Sequence, residues 1–195
     1  MNKTFKIATW NVNSIKVRLP QVLEWVEAYQ PNVLAIQETK TTDADFPVDA
    51  IEAAGYKVIF SGQKTYNGMA IIYKGEAEDI LTDIPELLDP QRRILIATIN
   101  QIRVINLYVP NGESLESEKF QYKLDWLKKV TAFISNELKK HERLIVLGDF
   151  NIAPQERDVH DPAFWSNHVL FSKQEREAFA DLLAVGLVDT FRLFD

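Results

Sequence analysis

The 195-residue sequence contains no cysteine. That absence removes thiol nucleophiles, thiolate zinc sites and disulfide staples together, and it is compatible with a reducing compartment. Met1 to Lys6 lacks the apolar stretch of a secretion signal, and no run approaches the ~18 apolar residues of a membrane span. The chain is therefore expected to be soluble, unexported and cytoplasmic, with no membrane partner. It also lacks bulk positive charge. At a net charge of −6, coating of nucleic acid by general attraction is disfavoured, while a local basic rim remains compatible. No solenoid repeat, low-complexity tract or linker interrupts the chain. A chain of this length can bury roughly 70% of its unfolded surface, so residues 1–195 are expected to form a single domain without staples.

What is present is organised around Leu144-Ile145-Val146-Leu147-Gly148-Asp149-Phe150-Asn151. The four apolar residues predict a short strand buried on both faces, with Gly148 allowing the backbone to turn and Asp149 and Asn151 delivered to its end. Alone, such an ending is more often a turn in which the aspartate bonds its own backbone. The chain, however, repeats the device. Phe5 to Trp10 reads as a strand ending in Asn11-Val12-Asn13-Ser14. Val33 to Ile36 runs into Gln37-Glu38-Thr39-Lys40, and Val104 to Leu107 into Tyr108-Val109-Pro110-Asn111-Gly112.

Between these lie a helix with Pro20 in its first turn and Leu19, Val22, Leu23, Val26 and Tyr29 on one stripe, and a short helix from Asp49 to Ala54 closed by Gly55. Trp25 reads as core. A strand follows from Tyr56 to Phe60, and Gly68 in an apolar run marks a turn or a close approach to the backbone. Glu76 to Pro90 reads as an acidic loop, and residues 92–109 as a hairpin in which Asn106 and Tyr108 share a face. The longest helix spans Glu116 to Lys140, its apolar stripe (Phe120, Leu124, Leu127, Ile134, Leu138) facing a sheet and its lysines facing solvent. A polar loop with Arg157, His160, Trp165 and His168 precedes a helix that opens on a Ser172-to-Glu175 capping box and ends at Gly186. Alternating strands and helices with hairpins among them predict sheets covered by helices, not a purely parallel sheet.

Asn11, Glu38, Tyr108, Asp149 and Asn151 all bear oxygen and all follow a buried strand. Hard oxygen donors without thiolates suit Mg²⁺, with Mn²⁺ as the alternative, and two carboxylates suffice for a magnesium ion that keeps several waters and a substrate phosphate. With a phenol to protonate a leaving oxygen, the set describes phosphodiester hydrolysis.

The stretches Ile7 to Ile15, Leu34 to Lys40, Tyr66 to Ala70, Asn106 to Gly112 and Gly148 to Asn151 resemble, in order, the motifs of the exonuclease III family of apurinic/apyrimidinic endonucleases. The resemblance runs from residue 5 to Arg192. It implies an α+β fold, a four-layer αββα sandwich of two mixed sheets with the site at one edge. It further implies Mg²⁺-dependent cleavage of DNA 5′ to abasic sites, accompanied by 3′–5′ exonuclease and 3′-end-cleaning activity. By the same resemblance Glu38 is the principal metal ligand with Asn11 beside it. Tyr108 is the phenol at the scissile phosphate, Asp149 the carboxylate that handles the attacking water or leaving group, and Asn151 the amide that orients the phosphate. Asn111 corresponds to a polar position near the phosphate; Asn13 and, from their charge and loop positions, Arg92 and Lys64 are expected to contact substrate. Double-stranded DNA with abasic sites or 3′ ends is the expected partner.

Family members continue past the position of Arg192 with a Trp-rich segment, an aspartate-bearing strand and a closing Asp-His pair, so the fold is expected to lack C-terminal strands of the family. A monomer is expected for a complete enzyme and self-association for a chain with a bare edge. His160 and His168 precede that region and read as loop residues. Another phosphoesterase of the superfamily, acting on lipids or nucleotides, and a catalytically impaired fragment that only binds DNA are the competing readings. Lys16, Arg18, Lys64, Arg92 and Arg93 are placed to rim a DNA-binding face.

Overall fold

The computed structural model describes residues 4–85 and 87–194. They fall into two compact units: the first runs to Tyr108 and includes Arg143–Asp149, the second comprises Val109–Glu142 and the residues from Phe150 onward.

The first unit holds both sheets. Strands β1 (Ile7–Asn11), β2 (Val33–Gln37), β3 (Lys57–Ser61) and β4 (Met69–Tyr73) form one sheet in the order β1-β2-β4-β3, with β1 and β2 parallel and the others antiparallel. Strands β5 (Ala77–Leu81), β6 (Ile94–Ile99), β7 (Ile102–Tyr108) and β8 (Leu144–Asp149) form the other in sequence order, with β7 and β8 parallel. Helices α1 (Ile15–Tyr29) and α2 (Val48–Ala53) cover the first sheet: Val22, Val26 and Ile51 pack with Leu34, Ile36, Ala70 and Ile72. From its opposite face Val33, Ala35, Met69 and Ile71 meet Leu95, Ala97, Ile99 and Val104 of the second sheet. Helix, sheet and sheet thus stack as three layers, and the class is α+β with two mixed sheets, as expected. Covering on both faces explains why β2 and β4 read as unbroken apolar runs.

The acidic stretch 76–90 does not stay a loop throughout. Ala77–Leu81 adds to β6 as an edge strand with a register shift between Glu78 and Leu81; its polar residues point to solvent, which hid it from a pattern search. Glu86, within the same stretch, lies outside the described residues. Pro20 is not in the first turn of its helix either, because α1 starts five residues earlier. The start is fixed from outside: the N–H groups of Ser14 and Ile15 donate to the carbonyls of Glu38 and Thr39 at 2.8 and 3.0 Å. Strand β8 is not buried on both faces; only Leu147 is, in keeping with its edge position.

The second unit is helical, with α3 (Glu118–Leu138), the short α4 (Pro162–Trp165) and α5 (Lys173–Ala184), of which α3 and α5 are in contact. Ser172 and Glu175 form the expected capping box. The lysines of α3 do not all face solvent. Lys123 is fully buried and paired with the equally buried Glu175. Glu175 also accepts from the N–H groups of Leu170 and Ser172 and from the Ser172 hydroxyl, so its charge is surrounded by donors. Among the described residues no helix is long and apolar enough to cross a membrane.

Candidate active site

Four strand ends of the first unit converge. Asn11 closes β1, Glu38 follows β2, Tyr108 closes β7 and Asp149 closes β8. Pairing of Asn11 with Gln37 and of Tyr108 with Asp149 brings each pair of ends level within its sheet. Gly148 makes the last pairing possible. Its φ is +139°, and a Cβ there would lie 1.9 Å from the Leu107 carbonyl oxygen. Its glycine answers a close approach as well as a turn.

The Asn11 amide Nδ2 donates to Glu38 Oε1 at 2.7 Å and to Asp149 Oδ2 at 2.8 Å, so one NH₂ group bridges the two carboxylates. Its oxygen accepts from the Asn13 N–H at 3.0 Å. Asn11 as placed therefore holds the carboxylates together, and presenting Oδ1 to a cation requires the amide to turn over. Asn13 Oδ1 accepts from Lys40, whose ammonium also lies 2.9 Å from Glu38 Oε2. Lys40 was not singled out from the sequence, although it stands two residues from the carboxylate in a quoted motif.

Glu38 sits at φ 55°, in the left-handed region that an L side chain rarely adopts, and its neighbour Lys40 at φ 52°. Surrounding bonds over-determine that backbone. The carbonyls on either side of Glu38 and its own accept from Val12, Ser14 and Ile15, while the N–H groups of Thr39 and Lys40 donate to the carbonyls of Gly68 and Asn67 at 3.0 Å each. Gly68 admits this approach, since a Cβ there would lie 2.2 Å from Thr39 Oγ1. Strain so held is a mark of functional sites.

Burial works against ionising Glu38, but hydrogen bonds from Asn11, Lys40 and Tyr108 and the charge of Lys40 outweigh it and keep the carboxyl below its ordinary value. Tyr108 moves the other way. Burial first, then the hydrogen bond to Glu38 and the charges of Glu38 and Asp149, push its phenol up to about 12 against the opposing charge of Arg93. The Arg93 guanidinium lies 4.6 Å from the centroid of the Tyr108 ring and donates to the Tyr108 carbonyl at 3.3 Å. The site thus pairs an ionised carboxylate with a neutral phenol.

Asn111 and Asn151 belong to the second unit. Asn151, at φ 47°, donates through Nδ2 to the Val109 carbonyl at 3.0 Å. The buried Lys123 ammonium donates to the carbonyls of Asn111 and Asn151, at 3.1 and 2.6 Å, pinning both loops. Arg92 is half-buried and Lys64 exposed. The Arg92 N–H donates to Gln63 Oε1 at 2.9 Å and its carbonyl accepts from Gly68, so the two basic residues share one stapled pair of loops without joining the carboxylate cluster. Lys16 lies 3.7 Å from Asp45 on the surface. His168 bonds the Phe164 carbonyl through Nδ1 at 2.7 Å, a local loop contact as expected.

Among the described residues no group of three or more His, Cys, Asp or Glu could hold a metal ion. Glu38 and Asp149, bridged by one amide and carrying only hard oxygens, nevertheless match the small protein contribution that Mg²⁺ requires.

Residues 8–190 match the model of a family described as Endonuclease/Exonuclease/phosphatase family. The exodeoxyribonuclease III of Haemophilus influenzae is 32% identical over 199 residues, covering 96% of this chain and 74% of that protein. Among solved structures, the 3′ phosphatase NExo from Neisseria bound to product DNA hairpin superposes with a TM-score of 0.96 at 44% identity, over 97% of this chain and 74% of that one. An AP endonuclease from Archaeoglobus fulgidus gives 0.93 at 39% identity over the same shares.

Proposed function

Because the chain belongs to the endonuclease/exonuclease/phosphatase family, whose exodeoxyribonuclease relatives make it a nuclease by descent, we propose that residues 1–195 act as one domain of a Mg²⁺-dependent DNA repair enzyme. Its substrates would be duplex DNA with abasic sites, cut on the 5′ side, and 3′ ends from which nucleotides or blocking groups are removed. The reading places it in the cytoplasm. The observation that carries it is the Asn11 amide bridging Glu38 and Asp149 beside a phenol that bonds the same glutamate. Its relation to DNA rests on the relatives, one of them held with a product hairpin.

Each group then has a task. Bound Mg²⁺ supplies charge neutralisation for the phosphate and a more acidic water. Glu38, its carboxyl held below the ordinary value and so ionised at neutral pH, would hold the cation with Asn11 at its side. Asp149 would accept a proton from the attacking water, and its bond to Asn11 fixes the carboxylate that must do so. Tyr108, neutral at physiological pH because its phenol is pushed up to about 12, keeps a proton for the leaving oxygen. Asn151 as the amide that orients the phosphate, with Asn111 and Asn13 near it, rests on the family motifs, whereas Arg92 and Lys64 are assigned toward substrate from their charge and their place in the loops beside Gln63 and Gly68.

The test is cleavage of an end-labelled duplex containing one abasic site, and release of phosphate from a 3′-phosphorylated duplex, in Mg²⁺ and in EDTA. Cleavage that EDTA stops supports the proposal, and repeating it in Mn²⁺ compares the metals. Binding of abasic duplex without any cleavage would replace it with a DNA-binding role, and hydrolysis of phospholipid headgroups or nucleotides alone would move the chain to another branch of the family.

A further inference from the structure

Two fully buried amides, Gln37 and Asn106, stand behind the strand ends that carry the site. Gln37 ends β2 and immediately precedes Glu38; Asn106 lies in β7, two residues before Tyr108 and on the same face of the strand. Gln37 Nε2 donates to Asn106 Oδ1 at 2.7 Å and to Thr9 Oγ1 at 2.9 Å. Asn106 Nδ2 donates in turn to the carbonyls of Ile36 and Ala70, each at 3.1 Å. Ile36 and Ala70 are register partners in β2 and β4. One side chain of the second sheet therefore grips two strands of the first, next to the residue that carries the carboxylate.

Around them the two sheets meet through an apolar cluster that includes Val33, Ala35, Met69, Ile71, Leu95, Ala97 and Val104. Apolar contact is non-directional and leaves one sheet free to settle against the other at several small offsets. An amide pair is directional and admits one. Gln37 Oε1 meanwhile has no partner among the described residues, a penalty that a methionine of similar volume would avoid. Stability alone does not account for amides here.

We propose that Gln37 and Asn106 are positioning residues whose bond sets the offset between the two sheets, so that the strand end carrying Glu38 and the strand end carrying Tyr108 are brought to one site. The inference rests on the nuclease reading for its effect on turnover, but the geometry can be read without it.

Three variants test it: Asn106→Leu, Gln37→Met and the double variant. Asn106→Leu leaves the buried Gln37 amide with Thr9 as its one remaining acceptor among the described residues and lowers Tm by roughly 5–10 °C. In the double variant both amides are gone and most of that loss is recovered, yet kcat on abasic duplex in Mg²⁺ stays at least about 10²-fold low while KM is little changed. In the metal-free protein, NOEs between the Tyr108 ring and the Glu38 methylenes, present in the wild type, disappear. A double variant that regains both Tm and kcat, or that keeps those NOEs, overturns the proposal. If the double variant does not fold, Gln37→Met decides by the same readouts, since it leaves Asn106 on the carbonyls of Ile36 and Ala70. A wild type that cleaves no DNA sinks the nuclease reading alone, and the NOEs still settle the positioning.

Discussion

Tyr108 and Glu38 show what the environment of single residues decides. The phenol's ordinary value is 10.0, and burial with the adjoining Glu38 raises it to about 12. A value raised in the folded state means that the preference for the neutral phenol contributes fully below pH 10 and is lost as pH climbs toward 12. Tyr108→Phe should therefore remove part of the alkaline fall in stability, seen as a smaller difference in denaturation midpoint between neutral pH and pH 12 than in the wild type. Glu38→Gln should lower the phenol's titration midpoint, because it deletes the negative charge facing the ring; an unmoved ultraviolet titration would leave burial as the whole cause. If the phenol protonates the leaving oxygen, Tyr108→Phe should cost roughly 10²–10⁴ in kcat, and a loss below about tenfold would leave it a packing role. At this scale the residue types were legible in the sequence, since hard oxygens at strand ends stand out. Their partners were not: Lys40 meets Glu38 and Asn13 only because the backbone around Glu38 adopts the left-handed region.

At the scale of elements, strand ends are placed by contacts that no hydrophobic pattern reports. Gly148→Ala would push a methyl group into the Leu107 carbonyl and should destabilise the protein by roughly 2–4 kcal/mol, measurable by denaturant titration, while displacing Asp149. The helices of the second unit are joined by the buried Lys123–Glu175 pair. Removing only the cation, as in Lys123→Met, leaves a buried carboxylate uncompensated and should cost about 3–5 kcal/mol, whereas Lys123→Met with Glu175→Gln should recover much of it. Additive losses in that cycle would show that the two charges do not depend on each other. A periodicity reading assigned the lysines of this helix to solvent because lysine usually lies there, and Lys123 departs from the rule by finding a carboxylate and two carbonyls. The same kind of reading missed β5, whose solvent-facing acidic residues resemble a loop.

For the whole molecule, a net charge of −6 means that bulk electrostatics repel DNA, so association must rest on local contacts. If Arg92 neutralises one backbone phosphate, Arg92→Ala should weaken duplex binding uniformly across sequences and reduce the log-log salt slope by about 0.9. An unchanged slope from a titration between low and moderate salt would place Arg92 off the DNA. The match to relatives extends over nearly the whole chain but reaches 74% of their length, as with the Haemophilus influenzae exodeoxyribonuclease III.

By itself the sequence determined the class of fold, the family and which strands end in hard oxygen donors, because apolar runs, their polar endings and ordered motifs are local properties written in consecutive residues. Tertiary structure alone decided that Asn11 bridges Glu38 and Asp149 across 138 residues of chain, that Gln37 and Asn106 tie the two sheets together across 69, and that Lys123 is interior. The first two facts depend on which sheet faces which and at what offset, and the third on which helix lies against which. Hydrophobic patterning is blind to both, since it records that a face is buried and not what it is buried against.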